Sequence, residues 1–466
     1  MDKQTIYKEI CKEYRATHRK SESRFKKNQH SLIKGGSHNL RLFDPFPFYD
    51  TISSGSKVQD IDGHTYIDFW QGHFANVLGH NPKIVIQTLR DYFNQGQGLE
   101  TGFPGLHQID LSELILKQVK ANKIRFTTSG TLATMYSIML ALSFTQRNLV
   151  LKIGGGWHGA QPYALKGITI YQKGLELLES TGLPSTMDSS ILITQFNNIQ
   201  DLEEKFKEFG DRTACLILEP FIGAGGFIFG NQDYIRKART LTEEYGSVLI
   251  FDEVISGFRF LPSGLQSLYE VEPDLSVFGK AIGGGLPVSA VTGHEDIMNL
   301  CSPETPIGSR VKFDGGTFSA HPAAILAGIV YLRHLIKQAD AIYPKIGKFG
   351  QKVRQEIEKI FAENGFNVKC TGKPFEFESD SSFVGVHFLK KDVDRIVFPE
   401  QVWDPQTCDI EMREKIFKLA MLNEGVNIFH GFGAVSAAHT DQDIQFSLDA
   451  VERIAKKWRT KGLEIE

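Results

Sequence analysis

The sequence predicts an α/β fold: a mostly parallel central sheet with helices on both faces, followed by a smaller α+β domain at the C-terminus. Three observations lead there. From about residue 100 to 320, short apolar runs alternate with amphipathic helical patterns. Two of those runs lead into side chains suited to chemistry, Asp252 and Lys280. After about residue 325 the rhythm changes to a long helical pattern and then to mixed strand and helix.

The elements follow in order. Residues 1–55 are polar and basic and read as an N-terminal arm or helix packing on the rest. Val58–Phe69 reads as a hairpin turning at Asp62-Gly63. The strands of the main sheet are expected at Lys123–Thr127, Leu149–Ile153, Ser190–Thr194, Ala214–Leu218, Val248–Phe251 and Leu275–Phe278. Ile199–Phe209 and Gln232–Tyr245 are helices between them. Pro322–Leu332, the longest uncharged apolar stretch, is too short to span a bilayer and reads as a buried helix. The implied division is 1–55 as arm, 56–320 as large domain and 321–466 as small domain.

Composition narrows the function classes. Hydrophobic content of 41% and charged content of 23% over 466 residues suit a large globular enzyme. A net charge of −3 gives no electrostatic reason to expect nucleic acid or an anionic membrane as partner. Cys11, Cys215, Cys301, Cys370 and Cys408 show no CxxC spacing, which argues against a disulfide framework or a structural metal site. The first fourteen residues are charged throughout and lack the apolar core of a signal peptide, so a cytoplasmic protein is expected.

The chemistry is carried by three segments. Ser247–Val254 is an apolar strand running into Asp252, and Leu275–Pro287 carries Lys280 ahead of a triple glycine. In a parallel sheet, ligands sit beyond the carboxyl ends of the strands, where both side chains fall. A lysine and an aspartate so placed are what pyridoxal 5′-phosphate (PLP) needs: an amine to hold its aldehyde as a Schiff base, and a carboxylate for its protonated ring nitrogen. The third segment is Thr128-Ser129-Gly130-Thr131, a small-residue turn at the start of an apolar helix. Free N–H groups there suit a phosphate. Taken alone, Ser129 reads better as a plain helix cap, but the company of Asp252 and Lys280 favours the phosphate. The glycines at 283–285 follow a lysine and do not fit a dinucleotide fingerprint.

Together these residues resemble the class III (ω-) aminotransferases of PLP fold type I, and within them the glutamate-1-semialdehyde 2,1-aminomutases and their relatives. The resemblance runs from about Gly35 to Ile444. It rests on Asp62–Asp68, Ser129–Thr134, Gly156–Gly159, Leu218–Pro220, Asp252–Arg259, Gly279–Pro287 and Gly316–Ser319. It implies that Trp157 stacks on the cofactor ring and Val254 packs on the opposite face. Thr317 would reach the cofactor phosphate of a neighbouring subunit, making a homodimer with interfacial sites. His158 and Glu219 stand with the cofactor-binding set. His158 and Arg259 have mainly structural roles, and Glu219 either hydrogen-bonds near the cofactor or caps its turn. Arg41, in Gly35–Phe43, would bind a substrate carboxylate through its planar fork.

Departures surround the substrate. Leu132 replaces the usual glutamate, Ala224 replaces an asparagine, and Ile428–Ser436 replaces a longer loop bearing an acid. Gly167–Thr186, where the aminomutase carries a mobile gate, is longer and holds Tyr171, Lys173 and two glutamates. The expected activity is therefore amino transfer between a carboxylate-bearing amino compound and an oxo acid through pyridoxamine phosphate. The alternative is intramolecular transfer by a glutamate-1-semialdehyde 2,1-aminomutase giving 5-aminolevulinate. Small-molecule donor and acceptor are the expected partners, with no metal.

Overall fold

The structure, a computed structural model, describes residues 2–169, 174–378 and 380–463. Tyr171 and Lys173 of the expected gate segment lie outside the described residues. The N-terminal arm is two helices, α1 (Lys3–Thr17) and α2 (Arg19–Asn28). Asp2 caps α1 by accepting from Thr5 N–H, and Ile6, Ile10 and Tyr14 form its buried stripe. His18, between the helices, shares a hydrogen bond with Tyr66 Oη at 2.6 Å, and Tyr66 donates to Asp60 at 2.6 Å.

That network pins the arm to the expected hairpin. Its strands β2 (Lys57–Asp60) and β3 (Thr65–Asp68) pair antiparallel, and β1 (Asp50–Ser54) adds to β2. A two-residue strand, Val426–Asn427, pairs parallel with β3, so this small sheet joins both ends of the chain.

The main sheet has seven strands: β4 (Lys123–Thr127), β5 (Leu149–Ile153), β6 (Ile191–Thr194), β7 (Thr213–Leu218), β8 (Val248–Glu253), β9 (Leu275–Phe278) and β10 (Ser289–Gly293). Their order is β4-β10-β9-β8-β7-β5-β6. All run the same way except β10, which is antiparallel to both neighbours. The expected strand at Ser190 starts one residue later, because Ser190 closes a short helix. β8 extends past Asp252 to Glu253.

Side chains of the central strands alternate between two cores, as the period of two requires. Cys215, Ile217, Val248 and Ile250 pack with Ile138 and Leu140 of α3 (Gly130–Thr145). Leu216, Leu218, Leu249 and Phe251 pack on the other face, against α4 (Ile199–Phe209) and α5 (Gln232–Tyr245). A sheet buried on both faces explains the uninterrupted apolar runs.

Beyond it come α6 (Pro322–Lys337) and α7 (Ala339–Glu363), then a three-stranded antiparallel sheet of β11 (Val368–Thr371), β12 (Phe383–Phe388) and the pair Gly433–Ala434. Helix α8 (Asp441–Thr460) ends the fold, with Thr440 as its cap. Among the described residues no helix is long and apolar enough to cross a membrane.

Candidate active site

Asp252 and Lys280 meet because their strands are neighbours. β8 and β9 pair in parallel with Asp252 opposite Val277. The lysine, three positions on, therefore reaches the same end of the sheet. β9 stops at Phe278, two residues before the lysine expected at its end, and Lys280 opens a tight helical turn with φ +48°. A lysine held in the left-handed region is strained, a condition that clusters at functional sites. Burial lowers the Lys280 ammonium below its usual range, and Asp252 and Glu219 oppose that shift.

Asp252 is 4% exposed. Its carboxylate accepts from Val254 N–H at 3.0 Å and shares a 2.8 Å hydrogen bond with His158 Nδ1. The partner is a carboxylate, so Nδ1–H is the donor, and burial lowers the imidazole while Asp252 opposes that shift. His158 Nε2 is buried with no hydrogen-bond partner.

The turn before α3 supplies the anion end. Ser129 is the helix cap, its Oγ accepting from Leu132 N–H at 3.3 Å. The first-turn N–H groups of Gly130 and Thr131 have no intrahelical acceptor by construction. A Cβ on Gly130 would come 3.1 Å from both methyls of Val254, so glycine is what lets Val254 approach this turn. Gly159 has φ +80°, and a Cβ there would lie 2.4 Å from Thr131 Oγ1. Glycine thus lets the segment after β5 close onto the turn before α3.

That segment carries Trp157, and two buried groups hold it. Glu219 accepts from Trp157 N–H at 2.9 Å and from Gly223 N–H at 3.0 Å. Burial, then the nearby Asp252, pushes the Glu219 carboxyl up to about 8. Lys152, fully buried in β5, donates to Gly156 O at 3.1 Å and Lys166 O at 2.7 Å. Its burial lowers the ammonium to about 8.

A cavity of about 530 Å³ brings together Ser129, Gly130, Thr131, Trp157, His158, Glu219, Asp252, Val254 and Lys280. Thr317 is not on it. It is exposed, on the rim of a separate cavity of about 660 Å³ that also takes in Phe103 and Arg125. Arg41 ends the short turn Asn39–Arg41 and stands off the cavity wall, close enough to act electrostatically on His38 and His73. Arg259 is structural: fully buried, it donates to Val435 O at 2.7 Å and lies over the Phe383 ring. Sequence reasoning missed Lys152. A charged residue inside an apolar strand was the one signal for Lys152.

The donor set fits PLP. A helix N-terminus with two hydroxyls suits its phosphate. The buried Asp252–His158 pair suits a cationic ring nitrogen, and Lys280 offers the amine. Sheet, cavity and lysine define a PLP enzyme of fold type I.

The chain belongs to the class III aminotransferases: the family model "Aminotransferase class-III" matches residues 43–384. PLP is the cofactor of this class, and its substrates are small molecules. Among curated relatives, a glutamate-1-semialdehyde 2,1-aminomutase of a Sulfurihydrogenibium species is 32% identical over 438 residues, 92% of this chain and 97% of the relative. An ω-transaminase from Sphaerobacter thermophilus superposes with a TM-score of 0.84 at 26% identity, covering 96% of this chain and 99% of that one. A glutamate-1-semialdehyde aminomutase from Pseudomonas aeruginosa, solved in complex with PMP, shares the fold at a TM-score of 0.84, 18% identity and 97% coverage of each chain.

Proposed function

We propose that this enzyme moves an amino group on a carboxylate-bearing amino compound, with Lys280 as the covalent anchor and proton carrier. The observation that carries the reading is the lowered Lys280 amine beside buried Asp252 in one cavity. Bound there, PLP supplies an aldehyde that takes up amines and a ring that accepts electrons from the adjacent carbon. Lys280 would hold the cofactor through its aldehyde, and the lysine amine, less basic than an exposed one because of burial, would carry the proton at the substrate carbon. Asp252 keeps a proton at the ring nitrogen, and His158 orients that carboxylate. Ser129, Gly130 and Thr131 hold the phosphate. Trp157 and Val254 would cover the two ring faces, and Glu219 fixes the Trp157 backbone.

The names of the curated relatives support the intramolecular version, a 2,1-aminomutase, as the first to test. Specific residues favour the intermolecular version instead. Ala224 stands where the aminomutases carry an asparagine, and His430 lies in a loop without their acid. A homodimer belongs to the same reading, with exposed Thr317 contributing to the neighbour's phosphate site. So does a cytoplasmic setting.

The experiment mixes holoenzyme with α-, β- and ω-amino acids and with glutamate-1-semialdehyde, following the aldehyde absorption band. Formation of 5-aminolevulinate without any added donor supports the aminomutase. Turnover only when a second carbonyl compound is added supports the transaminase. A band unchanged by every amine overturns both.

A further inference from the structure

His18 joins α1 to α2, and Asp60 and His64 frame the turn between β2 and β3. One carboxylate oxygen closes that turn: Asp60 Oδ1 accepts from Asp62 N–H and from His64 N–H, each at 2.9 Å. The other oxygen, Oδ2, faces three side chains. It lies 2.6 Å from Tyr66 Oη, 3.1 Å from His64 Nδ1 and 3.5 Å from His18 Nε2. One ligand atom from each of His18, Asp60 and His64 falls within 4.8 Å of the other two. None of the three lines the Lys280 cavity. Bond lengths of about 2.0–2.1 Å put neighbouring ligands of a tetrahedral zinc ion about 3.3 Å apart, which the 3.1 Å and 3.5 Å edges bracket.

Protons run short in this cluster. His18 Nδ1 is 2.9 Å from Tyr14 O, a carbonyl that only accepts, so Nδ1 carries a hydrogen. In the neutral ring Nε2 is then a lone pair, and it stands 2.6 Å from Tyr66 Oη. The one Tyr66 proton cannot serve both Nε2 and Asp60 Oδ2. His18 is buried, which disfavours ending the shortage by charging the imidazole. A metal cation ends it by accepting both lone pairs. The bond from Nδ1–H to a carbonyl is also what fixes the tautomer and orientation of a ligating histidine.

Tyr14 supplies an independent observation. It is fully buried, its ring is stacked on His18 at 3.9 Å, and its hydroxyl has no hydrogen-bond partner. The charges acting on that hydroxyl are those of Asp60 and Asp62, which places it beside the cluster. A buried orphan hydroxyl costs free energy until a partner arrives, and a water on the open position of a bound metal would be that partner.

We propose that His18 Nε2, Asp60 Oδ2 and His64 Nδ1 bind one divalent transition-metal ion of the zinc type, which pins the N-terminal arm to the β2–β3 hairpin. Imidazoles with a carboxylate select such an ion over magnesium or calcium, which take oxygen ligands. Asp62 adds a second negative charge, its carboxylate held by Lys20 N–H, Ser21 N–H and Ser21 Oγ. Partly exposed His64 gives the ion its way in. Cysteine spacing speaks only to thiolate sites, and a histidine–carboxylate set leaves no such signal.

The test uses untagged holoenzyme stripped of metal by dialysis against a chelator, with Zn²⁺ as the calorimetric probe and Co²⁺ as the spectroscopic one. Wild type is expected to bind one Zn²⁺ in this site, to show the visible bands of tetrahedral Co²⁺, and to melt at a higher temperature when Zn²⁺ is added. His64→Ala is the decisive variant, because it removes a ligand at the surface and keeps both backbone bonds to Asp60 Oδ1. It should weaken Zn²⁺ by at least about tenfold, lose the cobalt bands and lose the gain in melting temperature. His18→Gln should do the same, and if it does not fold, His64→Ala decides alone. A wild type that binds no Zn²⁺ would overturn the proposal and leave a charged His18 sharing the Tyr66 hydroxyl with Asp60. So would Zn²⁺ affinity and cobalt bands unchanged in His64→Ala, which would put the metal elsewhere.

Discussion

Asp252 can lose its charge without losing its shape, which makes it the sharpest residue to test. Asp252→Asn leaves the Val254 N–H an acceptor but removes the anion proposed to face the ring nitrogen. Turnover should fall on the order of a thousandfold while the cofactor still binds, read by absorbance and single-turnover kinetics. Near wild-type rates would remove Asp252 from the mechanism. Glu219 gives a pH signature. Its carboxyl is pushed up to about 8 in the folded state, so the fold binds a proton there that the unfolded chain has released. Its contribution to stability is present at low pH and is lost as pH rises through about 8. As pH rises toward about 8, the apoprotein should lose more stability than Glu219→Gln does. Urea melts across that rise decide it, and parallel curves would refute the shift. Much of this site could be read from sequence, because Asp252 lies next to the end of a strand, Lys280 follows one and Ser129–Thr131 open a helix. The role of Lys152 could not. It depends on backbone carbonyls that carry no sequence signal.

Strand β7 shows what the sheet requires of its sequence. Ile217 is fully buried against α3, with Cys215 and Val150 in the same core. Ile217→Ala should cost about 2–5 kcal/mol, seen as a lower urea midpoint with an unchanged slope. A loss below 1 kcal/mol would mean that this face can collapse around the gap. Most strands foreseen from sequence were runs of Val, Ile, Leu and Phe. β10 escaped notice because Ser289-Ala-Val-Thr-Gly293 is short and rich in small residues. It pairs fully with β9 and β4, so tertiary partners override its weak propensity. It is also the strand that makes the sheet mostly, rather than wholly, parallel.

Across the whole molecule, the two ends of the chain share one sheet through β3 and Val426–Asn427. We offer the division into 1–55, 56–320 and 321–466 as a proposal for limited proteolysis to test, with early cuts expected near its borders. Exposed Phe103 shares a cavity wall with Thr317, and exposed Phe318 follows it in sequence, as a subunit contact would require. Thr317→Ala should leave the mass in light scattering at that of a dimer, yet weaken cofactor retention about tenfold, the loss of one hydrogen bond to a charged group. A monomeric wild type, or unchanged retention, would count against shared sites.

Lys152 has a consequence for how such enzymes diversify. Its ammonium grips the carbonyls of residues 156 and 166, the two feet of the segment that carries Trp157. With both feet tied to the sheet from inside, the span between them behaves as a closed stem. Whatever chain follows residue 167 can then lengthen, shorten or be exchanged as a cassette, and Trp157 stays in register. A chimera carrying a relative's segment in place of 168–186 should keep cofactor affinity while changing which amines it accepts.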